Sequence, residues 1–225
     1  MKLIVALIAI IFIFESSQAQ RDHSILLDFR DYNLKTILKN SLIEDEFEQE
    51  MISWRLNFYE KFNIYDNLFS KIENIPVKKI EETTIQGAFL YHLNLADYFF
   101  YKYPNKIIEA RYEYLASLDL AKKQKSHILI CTSLRKILEL HRSDYLFDNA
   151  TSQDYLEMYK EFAFDTIEEM YASYYNLILK FQYYNLDAWE AAEATKLIDF
   201  AESSNHRYLN TIIFQLISSY FDSMK

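Results

Sequence analysis

One glycine, Gly87, and two prolines, Pro76 and Pro104, punctuate a chain of 225 residues. This scarcity restricts the available folds more than any other feature. Tight turns between antiparallel strands need residues at positive φ, and glycine supplies most of them. Nucleotide-binding α/β folds need glycine at the phosphate turn. β-Sandwiches and doubly wound sheets are therefore excluded, and helices joined by short polar connections remain.

The spacing of apolar residues points the same way. Phe47, Met51, Trp54, Phe58, Phe62, Tyr65, Phe69 and Ile72 recur every third or fourth residue and form one stripe of a helix from about Ile43 to Ile72. Ser24 can cap an earlier helix reaching about Lys39, with Leu27, Leu34 and Leu38 toward one side. After Pro76, Val77 to Thr84 is a loop or a short helical turn. A helix is expected over Ile85–Tyr103, stopped by Pro104, with Asn105 able to cap a helix from Lys106 to about Gln124. That helix places Ile107, Arg111, Tyr114, Leu118 and Ala121 on one side. Ser126 opens the next, with Leu134, Ile137 and Leu138 as its core candidates. Asp148 to Ser152 is expected as a loop, followed by one helix from Asp154 through Tyr175 to Phe181. Leu186–Phe200, with Asp187 as cap, and His206–Phe221 complete the series. The expected fold is all-α: an antiparallel helical bundle or a right-handed array of helical hairpins.

The amino terminus has the pattern of a secretory leader. Lys2 precedes the apolar run Leu3–Phe14, and Ser17 and Ala19 are small residues placed for cleavage after Ala19. The run falls short of the ~20 residues that span a bilayer. The expected division is a signal peptide over 1–19 and one helical domain over 20–225, secreted and without stable membrane association. Removing Lys2 and Glu15 with the leader leaves the net charge at −9. Such a charge excludes nucleic-acid partners, which require a basic face.

Catalytic and metal signatures are absent from the sequence. There is no HExxH, no phosphate-binding glycine loop and no GxSxG elbow. None of His23, His92, His127, His141 and His206 follows a glutamate at the spacing of helical di-metal sites. No metal, no cofactor and no enzymatic activity are expected. Glu168 and Glu169 are read as a solvated face. Lys122, Lys123 and Lys125 are read as a helix end, where positive charge complements the dipole. Cys131, the only cysteine, is expected on a buried helix face as a small hydrophobe. Asn149-Ala150-Thr151 is a glycosylation sequon, expected in a loop and occupied at Asn149.

Several segments resemble one family. Leu90-Tyr91-His92-Leu93-Asn94-Leu95-Ala96-Asp97-Tyr98-Phe99-Phe100-Tyr101 resembles the fifth helix of the 14-3-3 proteins, FYLKMKGDYYRY. Tyr208 to Ile217 is similar to the family's YKDSTLIMQLL, with one deletion. Tyr175 to Leu179 resembles LNFSV, and Asp187 to Lys196 resembles DPEKACELAK. The matches follow family order and cover about half of the chain after the leader. The resemblance implies a peptide-binding groove, with Tyr101 retained from the phosphate clamp and Asn176 holding the ligand's backbone. Ile212, Ile213 and Leu216 would form the apolar wall. It also implies loss of most of the clamp. Phe100 stands where an arginine belongs, and a match of Ser53-Trp54-Arg55 to the family's SWR puts Met51 and Glu44 at the other arginine and the lysine. The expected function is a secreted module that binds a peptide or protein partner. A helical array of another lineage, such as one built on tetratricopeptide-like hairpins, remains the alternative. A carrier of an apolar ligand and, less readily, a small enzyme are further alternatives.

Overall fold

The structure is a computed structural model that describes residues 38, 43, 45–60, 71–143, 149–183, 191–204 and 207–223. The leader over 1–19 with its cleavage after Ala19, and the positions Glu44, His23 and His206, lie outside the described residues.

Among the described residues the chain is helical, with no strand. The helices are α1 (Glu46–Glu60), α2 (Val77–Glu82), α3 (Ile85–Lys102), α4 (Ile107–Gln124) and α5 (His127–Ser143). They continue with α6 (Asn149–Phe162), α7 (Thr166–Tyr183), α8 (Ala191–Ser203) and α9 (Arg207–Ser223). A single 3-10 turn, Pro104–Lys106, joins α3 to α4. Each helix from α3 onward packs on its successor, and the pairs α1–α3, α5–α7 and α7–α9 also pack together. The architecture is an all-α helical array, as the glycine scarcity and the apolar spacing require.

Local sequence explains the junctions. Thr84 caps α3 by accepting a hydrogen bond from the Gly87 backbone N–H at 2.9 Å. A Cβ on Gly87 would come within 2.4 Å of the Thr83 hydroxyl, which is itself bound to the Asp45 carboxylate at 2.7 Å. The only glycine thus sits where two helix starts, α1 and α3, approach too closely for a side chain. The end of α4 uses no glycine. Lys125 takes the left-handed conformation there, with φ of 55°, while the N–H of Ser126 reaches back to the Ala121 carbonyl. Lys122, Lys123 and Lys125 are exposed at this helix end, as their charge pattern indicated. Ser126 accepts from the Leu129 N–H at the start of α5.

Three boundaries differ from the sequence reading. The expected single helix Asp154–Phe181 is two, α6 and α7. Asp165 ends the break by capping α7, accepting from the Glu168 N–H at 2.8 Å. Helix α6 begins at Asn149, so the sequon occupies its first turn rather than a loop. Asn105 does not cap α4: the N-cap is Lys106, without a side-chain bond.

Candidate functional site

Helix α5 decides where the polar chemistry lies. Every residue from Leu129 to His141 is buried. Leu134, Ile137 and Leu138 are core, as expected, but so are Thr132, Ser133, Arg135, Lys136, Glu139 and His141. A helix buried on all sides must pair each of its polar groups, because an unpaired buried charge is expensive. Consecutive residues on a helix point about 100° apart, so Arg135 and Lys136 reach different neighbours.

Lys136 reaches toward the amino-terminal helices. Its ammonium lies 3.1 Å from Asp97 Oδ2 on α3. The same oxygen accepts from Arg55 of α1 at 2.5 Å, and the Tyr114 hydroxyl of α4 donates to the other carboxylate oxygen. Asn94, one turn before Asp97, donates to the Met51 carbonyl at 3.1 Å. Arg55 and Asp97 have no solvent exposure. This cluster joins α1, α3, α4 and α5 through one carboxylate.

Arg135 reaches toward the carboxyl-terminal helices. One guanidinium nitrogen lies 2.9 Å from both oxygens of Glu168 on α7. The Tyr159 hydroxyl of α6 donates to the same carboxylate. The Tyr171 ring lies 4.8 Å from the guanidinium carbon. Glu168, read from the sequence as part of a solvated face, is 1% exposed, whereas Glu169 is exposed. The reading failed at Glu168 because its partner lies 33 residues away. Burial and the neighbouring Glu168 carboxylate push the Tyr159 phenol well above its ordinary value.

Other polar residues of α5 also have partners on neighbouring helices. Ser133 meets Ser117 of α4 at 2.9 Å, and His141 Nδ1 meets Ser152 of α6 at 2.9 Å. Glu139 holds Arg142 at 2.5 Å and accepts from Tyr175 at 3.3 Å. The Ser152–His141 contact has the composition of a nucleophile and its base, but both side chains are fully buried. Cys131 is buried, as expected. Its thiol faces the Phe162 carbonyl at 3.2 Å, and burial raises its pKa far beyond the thiol range, which makes it a poor nucleophile. No group of three or more His, Cys, Asp or Glu side chains able to hold a metal occurs among the described residues. No helix among them is long and apolar enough to cross a membrane.

The residues implied by the resemblance occupy three helices. Asn176 is on α7, where its amide donates to Glu193 of α8 at 2.7 Å. Ile213 and Leu216 of α9 are buried in the core, and Ile212 is half-buried beside them. Helices α7 and α9 pack together, so Asn176 and the α9 residues belong to neighbouring elements. Tyr101 is half-buried near the end of α3, next to the Phe100 ring. The side chain of Asn149 lies outside the described residues; Ala150 beside it is exposed.

Comparison of the chain with protein-family models, with curated proteins and with solved structures finds no match.

Proposed function

We propose that this chain is a secreted helical module that binds a peptide or protein partner in a groove of 14-3-3-like arrangement, without a phosphate clamp. The observation that carries the reading is the Arg55–Asp97 pair. It joins Ser53-Trp54-Arg55, the segment that would match the family's SWR, to Asp97 in the segment that resembles the fifth helix, across 42 residues of sequence. The groove reading assigns ligand contact to Tyr101 and Ile212, which are half-buried, and to Asn176, Ile213 and Leu216, which are buried.

The loss of phosphate recognition has a second support. Arg55, Arg135 and Lys136 are buried, and each already faces a carboxylate of the chain itself. A bound phosphate requires charge-assisted donors to offset its desolvation. These three cations are committed elsewhere. Peptides captured from a display library, tested in phosphorylated and unmodified pairs, should bind equally. A tenfold preference for the phosphorylated form, about 1.4 kcal/mol, would overturn the absence of a clamp. Failure of Tyr101→Ala and Ile212→Asp to weaken a captured peptide would overturn the groove. Export predicts a secreted form beginning at or near Gln20 by mass spectrometry. Occupancy of the sequon predicts a glycosidase-sensitive mobility shift that Asn149→Gln removes.

A further inference from the structure

At the end of α3, three features favour a positive charge at one point. The Phe99 ring lies 4.5 Å from the Lys106 ammonium, and the Tyr103 ring lies 5.2 Å from it. The Glu73 carboxylate approaches to 2.8 Å. The rings are held in place independently of the lysine. The Tyr98 hydroxyl meets that of Tyr103 at 3.0 Å, and their rings pack edge to face at 5.2 Å. Phe99 is buried in the core.

The cation that fills this point is loosely held. Lys106 sits on the one-turn linker, and the side chains of Lys106 and Glu73 are 33% and 34% exposed. Half-exposed ion pairs contribute little to stability, so the fold does not depend on the lysine. A primary ammonium is also strongly hydrated, and it gives up that hydration reluctantly. Ring faces bind alkylated ammonium groups well because their charge is spread and their hydration is weak.

We infer that the end of α3 is a binding box for an alkylammonium group, held by Lys106 in the free chain and yielded to a methylated or quaternary amine. The inference is independent of the groove. Phe99 and Tyr103 form its walls, Glu73 neutralises the charge, and Tyr98 positions Tyr103. Hydrogen bonding to Glu73 raises the pKa of Lys106, so the resident group stays charged across the physiological range and competes as a cation.

Nuclear magnetic resonance titration of the full chain with tetramethylammonium and choline tests this. Both should shift the Phe99 and Tyr103 ring signals saturably. Lys106→Gln, which removes the competitor, should tighten binding at least tenfold. Adding Tyr103→Leu to that variant should abolish binding. The neutral isostere of choline, 3,3-dimethylbutanol, should bind at least tenfold more weakly. In wild type the Lys106 ε-methylene signal should move toward its free position as tetramethylammonium is added, a readout that needs no variant. A trimethyllysine peptide that outcompetes choline would place the natural ligand on a protein chain, and the reverse would make it a small molecule; either supports the box. Equal binding of the neutral isostere, or no saturable shift with Lys106→Gln, would overturn it.

Discussion

The clusters around Asp97 and Glu168 solve the same problem with different reserves. Each carboxylate is buried, accepts a tyrosine hydroxyl from a neighbouring helix and receives a cation from α5. Asp97 lies in the carboxyl-terminal half of α3, away from that helix's N-terminus, and depends on two cations, Arg55 and Lys136. Glu168 lies in the first turn of α7, where free N–H groups and the dipole already favour negative charge. One arginine, braced by the Tyr171 ring, completes it. Position along a helix thus changes how many cations a buried carboxylate needs. It also changes what is left behind when the carboxylate is lost: two buried cations at Asp97, one at Glu168.

The largest expected effect follows from that difference. Asp97→Asn should destabilise the chain by about 3–5 kcal/mol, because it strands buried charge. For a chain of this size that is a fall in Tm of roughly 10 °C or more. Glu168→Gln should cost less, about 2–3 kcal/mol, since one cation is stranded and it retains the Tyr171 ring. Urea denaturation of both variants gives the comparison directly. A larger loss for Glu168→Gln would show that the helix terminus and the second cation do not have the roles assigned to them.

Much of the array was legible in the sequence. The stops at Pro104 and Ser126 and the apolar spacing placed α3, α4 and the start of α5 within a residue or two of their observed bounds. The clusters were not legible. Periodicity reports which residues are apolar, but a polar residue is buried only when a partner arrives from elsewhere. The partners here are 33, 39 and 42 residues apart. Glu168 carried a local signal, the Asp165-x-x-Glu168 spacing at a helix start, which also marks the break that the sequence reading carried helix across. The groove residues were ambiguous for a different reason. Ile213 and Leu216 at helical spacing fit a core or a binding wall equally well, and both are buried.

The adjacency of Arg135 and Lys136 allows the two clusters to be separated. Lys136→Met leaves Asp97 with Arg55, and Arg135→Met leaves Glu168 with Tyr159 and the start of α7. The residues are neighbours in sequence but share no carboxylate. A double-mutant cycle should therefore give a coupling below about 0.5 kcal/mol. A coupling above ~1 kcal/mol would mean that α5 shifts as a rigid rod when either anchor is lost, and that the clusters act as one.

The last comparison concerns the tyrosine at Glu168. Tyr159→Phe removes one hydrogen bond to a charged group and should cost about 1.5–3 kcal/mol at neutral pH. The cost should shrink in alkali, and the sign follows from the phenol. Its folded pKa lies well above the ordinary 10.0, raised first by burial and then by Glu168. Such a group stabilises the fold fully below its unfolded pKa, and that contribution is lost as pH rises toward the folded value. Wild type should therefore weaken above about pH 10 as the unfolded chain ionises Tyr159 while the folded chain cannot. The Phe variant lacks this term. Cys131, raised from an ordinary 9.0, adds a similar loss beginning near pH 9, but it does so in both proteins. The difference in urea midpoint between wild type and Tyr159→Phe should hold constant from pH 7 to about pH 9 and narrow beyond pH 10. A gap that stays constant or widens there would mean that Tyr159 ionises in place, and that the Glu168 cluster admits water the Asp97 cluster excludes.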